Sequence, residues 1–225
     1  MIRIFIDTEL QAGESIRLDA TQIHYLRDVM RLKDGDQFLT FGGGAEFIAE
    51  FRGANAAIKS RTERSDSANG AVLAFCPIKP ARLEEMISMA TQMGVAAFQP
   101  VISKRVDIPK MNFQRFRKIA IEAAEQCGRL SVPEIREAVK FNEFVKTTGK
   151  VYFADERTAA TTPALRATPS PLRGTFVLLI GAEGGFTANE FDALDASGAI
   201  GINLGKTILR AETAAVAGLA MLLNK

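Results

Sequence analysis

Apolar residues first recur with period two, at Ile2, Ile4 and Ile6 around Arg3 and Phe5, which predicts an opening strand. From Thr21 the period lengthens. Ile23, Leu26 and Met30 share one face of a short helix that Thr21 can cap. Lys33 to Asp36 is a turn; Gln37 to Phe41 and Glu46 to Arg52 read as strands joined through Gly42-Gly43-Gly44, and Ala56 to Arg61 as another strand. The polar stretch Arg64 to Gly70 marks a boundary, after which strands and helices alternate. Val72 to Cys76 reads as a buried strand. Pro80 to Met93 reads as a helix with Leu83, Met86, Ile87 and Ala90 inward and Gly94 beyond its end. Ala97 to Ile102 is a strand, and Met111 to Cys127 a helix apolar at Phe113, Phe116, Ile119, Ala120 and Ala123. Val151 to Ala154 is a strand followed by a Thr-, Ala- and Pro-rich loop. The pattern predicts a small β-rich unit over 1–70 and an α/β unit with a mostly parallel sheet over 71–225.

The last third carries the candidate chemistry. An apolar strand, Phe176 to Ile180, runs into the turn Gly181-Ala182-Glu183-Gly184-Gly185; a second, Ile200 to Leu204, runs into Gly205. Glycines permit positive φ and let a ligand touch the backbone. Thr187 and Glu190 have capping-box spacing, with Phe186 and Phe191 as the staple, so the first turn is anchored to a helix start. Ligands of open α/β sheets sit at such carboxyl ends of strands. The G-x-G-x-x-G spacing is absent. Gly205-Lys206-Thr207 resembles a P-loop tail, but the required upstream glycine would fall on Ile200. Glu183 inside the turn disfavours a phosphate and tolerates a cation. Tight turning alone is the plainer account of these glycines. The closing helix, from Ala211, is rich in small residues at Ala214, Ala215, Ala217, Gly218 and Ala220, so it packs closely against its own sheet or against a second subunit.

Net charge is only +2, so a polyanion binder must concentrate its positive charge. Two segments do so. His24, Arg27 and Arg31 form a stripe on the first helix, and residues 104–118 hold Lys104, Arg105, Lys110, Arg115, Arg117 and Lys118 against Asp107. A solvated helix face is the plainer reading of both. One histidine and two distant cysteines, Cys76 and Cys127, give no metal-ligand spacing and no nucleophile motif. No apolar run approaches the ~20 residues of a membrane span, and the N-terminus does not read as a signal. A cytoplasmic protein with both thiols reduced and buried is expected.

The motifs His24-Tyr25-Leu26, Val29-Met30-Arg31, Gly35-Asp36, Gly42 to Glu50, Gly94-Val95, Glu122 to Arg129 and Pro133-Glu134-Ile135 lead up to two more specific ones, Ile180 to Phe186 and Leu204 to Thr213. Together they resemble the SPOUT methyltransferases, within them the ribosomal RNA small-subunit methyltransferase E family. The resemblance implies an N-terminal PUA-like β-barrel that binds RNA and a C-terminal trefoil-knotted domain. It implies a homodimer, S-adenosylmethionine as cofactor, and methylation of N3 of one uridine in small-subunit ribosomal RNA or the 30S subunit. By position it implies cofactor contacts at Ala154, Asp155, Glu156, Ile180, Gly181, Glu183, Gly184, Gly185, Leu204, Gly205, Ile208, Leu209 and Arg210. Arg210 is the first candidate to stabilise charge on the base, with Glu183 and Glu212 as bases or orienting groups. A structural ion pair is the plainer role of Arg210 and Glu212. RNA contacts are expected at Arg3, His24, Arg27, Arg31, Lys104, Arg105 and Arg129. The chain departs from the family at Ala182, usually Pro, and at Met89, Gln92 and Met93, usually Lys, Glu and Leu. Another RNA target, such as tRNA, and a non-catalytic RNA-binding assembly factor are the rival readings.

Overall fold

The computed structural model describes residues 1–64, 70–106, 111–146, 149–157 and 175–223. The centre of the expected boundary (65–69) and most of the Thr-, Ala- and Pro-rich loop (158–174) lie outside the described residues, as do Asp107 and Lys110. Two compact units form. Described residues 1–64 and 124–132 make the first, and the remaining ones the second.

The first unit contains β1 (Arg3–Phe5), β2 (Ser15–Arg17), α1 (Ala20–His24), β3 (Gln37–Gly42), β4 (Ala45–Arg52) and β5 (Asn55–Arg61). Its sheet order is β1-β3-β4-β5-β2, parallel only between β1 and β3. The ladders leave β1 and β2 at opposite ends, so the sheet is a half-barrel. Gly43 and Gly44 adopt φ of 59° and 78° in the β3–β4 turn. Alternating inward residues, among them Ile4, Phe38, Phe47, Phe51 and Ile58, meet Leu18 and Leu26 in one core. Ala124 and Leu130 join Phe41 in a smaller cluster.

The N-cap of α1 is Asp19, whose carboxylate accepts from Gln22 N–H in a capping box, and not Thr21 as the spacing suggested. After His24 the helix widens into one π turn, Tyr25–Val29. Only Leu26 of that turn is buried, and Met30, expected on the inward face, is 40% exposed. The extra residue per turn rotates Met30 off the core side.

The second unit contains β6 (Ala71–Phe75), α2 (Pro80–Gln92), β7 (Ala97–Ile102), most of α3 (Phe113–Cys127), β8 (Glu134–Ile135), β9 (Val139–Lys140), α4 (Phe141–Phe144), β10 (Lys150–Ala154), β11 (Phe176–Ile180), α5 (Ala188–Ala196), β12 (Ile200–Ile202) and α6 (Ala211–Leu222). Every pairing is parallel, in the order β12-β10-β11-β6-β7-β8, with β9 also on β7. β6 and β11 are buried at all five positions, because helices cover both faces of a parallel sheet. Val72, Ala74, Val177 and Leu179 face a cluster with Phe186, Phe191 and Leu194 of the α5 region. On the other face α6 lies on β11 and α2 on α6. A Cβ on Gly218 would sit 2.8 Å from Leu178 Cδ2, so this glycine sets the approach of α6 to its own sheet. That close packing accounts for the buried face of the small-residue helix.

Candidate active site

Three loops leave the carboxyl ends of the neighbouring parallel strands β10, β11 and β12, where ligands of such sheets bind. They wall two adjoining cavities of about 380 and about 300 Å³ that share Ala154, Glu156, Ile208, Leu209 and Ala214. The first adds Asp155 and the run Ile202 to Thr207; the second adds Ile180, Gly181, Ala182, Glu183, Gly185, Arg210 and Arg82. Every residue expected at the cofactor lines one of them except Gly184.

The first turn is held from several directions. Glu190, buried, accepts from Thr187 N at 2.8 Å and Thr187 Oγ1 at 2.9 Å through one oxygen. Its other oxygen accepts from Lys104 N at 2.8 Å. Phe186 and Phe191 meet edge to face at 5.5 Å between centroids, the expected staple. The glycines act differently from one another. Gly185 has φ 65° and Gly205 φ 142°, in the region open to glycine. Gly181 is needed for space, since a Cβ there would lie 3.1 Å from the Phe186 ring.

Arg82, on α2, had no signal in the sequence. Its Nη1 donates to Glu183 Oε1 at 2.5 Å, and its Nε lies 3.9 Å from Glu212 Oε1. Both carboxylates named as catalytic candidates therefore converge on one guanidinium. Glu212 is buried at the start of α6, and its Oε2 has no hydrogen-bond partner among the described residues. Its ion pair is with Arg82, not with Arg210 as a loop-holding pair would require. Arg210 is the exposed N-cap of α6 and makes no hydrogen bond or ion pair through its side chain with a described residue. Arg105 donates to the Gly184 carbonyl at 2.6 Å, and Gly184 lines neither cavity. Asp155 is buried and grips Arg157, whose guanidinium also stacks 3.7 Å over Phe191.

The expected RNA contacts divide. The Arg3 side chain is 10% exposed, pairs with buried Glu46 at 2.8 Å, donates to the Ala124, Glu125 and Arg129 carbonyls and lies 4.6 Å over Phe41. Arg129 is half-buried and reaches Ser131 at 3.2 Å. His24 and Arg27 are exposed but share Asp28, at 2.8 Å each. The Arg27 guanidinium, and after it the His24 ring, hold the Asp28 carboxyl well below the usual carboxylate range. Arg31 and the Lys104 side chain are exposed. Arg115, in the basic run, pairs with Glu84 at 2.9 Å. Cys76 is buried and Cys127 exposed, so only one thiol packs in the core as expected.

The model of the RNA methyltransferase domain matches residues 65–223. A ribosomal RNA small subunit methyltransferase E from Rickettsia conorii is 32% identical, over 97% of this chain and 93% of its own. The crystal structure of the Neisseria gonorrhoeae ribosomal RNA small subunit methyltransferase E, bound to S-adenosyl methionine, is similar with a TM-score of 0.87 at 25% identity, covering all of this chain and 97% of that one. A Legionella pneumophila putative methyltransferase in complex with the same cofactor gives 0.85 at 28% identity, covering 98% and 96%. The family model, the sequence and the overall fold agree, and the chain belongs to the RNA methyltransferase domain family and, within it, to the ribosomal RNA small subunit methyltransferase E proteins.

Proposed function

We propose that the protein is an S-adenosylmethionine-dependent methyltransferase that modifies N3 of a uridine in small-subunit (16S) ribosomal RNA, within the assembled 30S subunit. The observation that carries this reading is the pair of joined cavities walled by three consecutive strand-end loops. Their composition fits the cofactor. Ile180, Ile202, Ile208 and Leu209 supply apolar wall for an adenine ring, the backbone of the 181–185 and 203–209 loops supplies polar edges, and the Glu156 and Glu183 carboxylates suit a cationic ligand. Bound there, the cofactor supplies a methyl group made electrophilic by its sulfonium. Uracil N3 holds its proton at neutral pH, so the base must lose it or have the resulting anion stabilised. Arg210, at the cavity rim and without a side-chain partner among the described residues, is the group to face the uracil oxygens. Glu183 and Glu212, both on Arg82, serve as orienting groups that fix the loop bearing Arg210. N3 lies on the pairing edge, so the target nucleotide is bound unpaired or flipped.

The same reading takes residues 71–225 as a SPOUT domain. β11 lies between β10 and β6 while β12 lies on the far side of β10, a strand order that fits a trefoil knot through the site loops. It takes 1–70 as a PUA-like RNA-binding domain with Arg31 at its surface. Ile208, 86% exposed, and the outward Thr213 and Ala220 of α6 fit a homodimer contact. No helix among the described residues is long and apolar enough to cross a membrane, which fits a cytoplasmic site of action. The test is calorimetric titration with S-adenosylmethionine, followed by methyl transfer to purified small subunits and to naked 16S RNA, with the product nucleoside mapped by mass spectrometry. Binding with N3-methyluridine formed on subunits is expected. No heat with the cofactor overturns the reading, as does a product on another base.

A further inference from the structure

Among the described residues, three acidic side chains line the joined cavities: Asp155, Glu156 and Glu183. Two of them already face a cation. Asp155 is buried and accepts from Arg157 Nε at 3.0 Å and Nη2 at 2.9 Å. Glu183 accepts from Arg82 Nη1 at 2.5 Å. Glu156 differs from both. It is exposed, and its carboxylate makes no hydrogen bond or ion pair with a described residue. Lys206 lines the first cavity and Arg210 the second, and neither comes within ion-pair distance of it. Its place matters as much as its charge. Five residues line both cavities, Ala154, Glu156, Ile208, Leu209 and Ala214, and Glu156 is the ionisable one. Its Oε1 lies 3.6 Å from where a Cβ on Gly185 would stand, so the carboxylate reaches from the loop after β10 to the turn after β11.

A carboxylate with no cation of its own, where two cavities join, calls for a cation from the ligand. S-adenosylmethionine has an adenosyl half and a methionine half joined through a positively charged sulfur. With one half in each cavity, in either order, the sulfur falls at the junction. Resting on the methyltransferase reading above, we infer that Glu156 faces the sulfonium and makes the site prefer the charged methyl donor to the neutral product. When the methyl carbon passes to N3 of the base, the S–C bonding pair stays on sulfur, which becomes an uncharged thioether, and the N3 proton is released to water. The attraction to Glu156 ends with that charge, so the spent cofactor loses a contact that the donor had. Glu183 is not suited to this task, because Arg82 already opposes its charge. The α-ammonium of the methionine half is the other cation on offer. It is common to donor and product, so a carboxylate facing it would hold both alike.

Calorimetry gives the Kd of S-adenosylmethionine and of S-adenosylhomocysteine for the wild type and for Glu156→Gln, which keeps the size of the side chain and removes its charge. The quantity compared is the ratio of the two Kd values. Expected in Glu156→Gln is a loss of about tenfold in affinity for S-adenosylmethionine, a modest share of the attraction between two unit charges in contact near a protein surface. Affinity for S-adenosylhomocysteine stays unchanged, which also shows that the variant is folded. Sinefungin, which carries an ammonium where the methyl sulfonium stands, weakens along with S-adenosylmethionine. Glu156→Asp keeps the charge and recovers part of the ratio, which a mere loss of shape at the junction would not give. A ratio that Glu156→Gln leaves unchanged overturns the inference, whether both affinities fall together, as they do if Glu156 meets the α-ammonium, or neither moves. Binding of both compounds by the wild type with that unchanged ratio sinks the sulfonium contact alone. Binding of neither by the wild type sinks the methyltransferase reading.

Discussion

Replacing Arg3 removes the cation that buried Glu46 faces. Thr62 and Arg64 also reach Glu46, each at 3.1 Å, but Arg64 is half exposed and its other nitrogen is spent on the Gly128 carbonyl. Removing Arg3 leaves the buried carboxylate to Thr62 and the half-exposed Arg64, a poorer compensation, so Arg3→Met lowers unfolding stability by up to roughly 3 kcal/mol, measured by urea titration. An unchanged midpoint would mean that the Arg3–Glu46 pair contributes nothing to stability. Alternation could place Arg3 on the polar side of β1, but it could not reveal that residues 124–132 close over that side. The same blindness hid Arg82, a hundred residues before the glutamate it holds. The thiols give a second test at this scale. Burial pushes the Cys76 thiol up to about 11, with Ser103 and Ala182 opposing it more weakly. Below that pH it stays a neutral thiol, and only the thiolate reacts. At pH 8 a disulfide reagent therefore labels Cys127 alone in the native protein and both cysteines in denaturant, counted by mass spectrometry.

Elements were legible where one period governs them. β6, β7 and β11 have apolar cores long enough to declare themselves, and α2 buries the four residues its 3.6 periodicity selected. β2 escaped because three residues, Ser15, Ile16 and Arg17, carry no pattern of their own and acquire strand geometry only by pairing with β5. The π turn escaped because a 3.6-residue rule assumes the helix it is asked to find. The start of α5 was the clearest local signal, since Thr187 and Glu190 cap each other through contacts three residues apart. Thr187→Ala costs about 1 kcal/mol of stability, the usual worth of an N-cap side chain. Glu190→Ala costs more, because Lys104 N–H loses its acceptor as well. Thermal unfolding of the two variants ranks them; equal losses would mean that the tie from Glu190 to the loop after β7 contributes nothing.

For the whole molecule the sequence foretold a parallel α/β unit after a β-rich one, because buried parallel strands and half-buried antiparallel ones have different periods. It could not give strand order, which depends on pairings between segments far apart in the chain. That order brings the ends of β10, β11 and β12 together and places twelve of the thirteen scattered positions on the walls of two joined cavities. Arg210 tests whether the site does chemistry or only binds. Its side chain is exposed and unpaired among the described residues, so Arg210→Ala leaves the unfolding midpoint within the ±0.5 kcal/mol typical of surface changes. It also leaves the apolar and backbone walls of both cavities, so cofactor affinity by calorimetry stays near wild type. If the guanidinium stabilises charge on uracil, the methyl-transfer rate at saturating cofactor falls at least about a hundredfold, the loss typical when one such donor is removed. Arg210→Lys keeps the charge without the planar fork, and recovers part of the rate. A fall in cofactor affinity with turnover intact would make Arg210 a ligand of the cofactor, and leave the stabilising charge to another group at the rim.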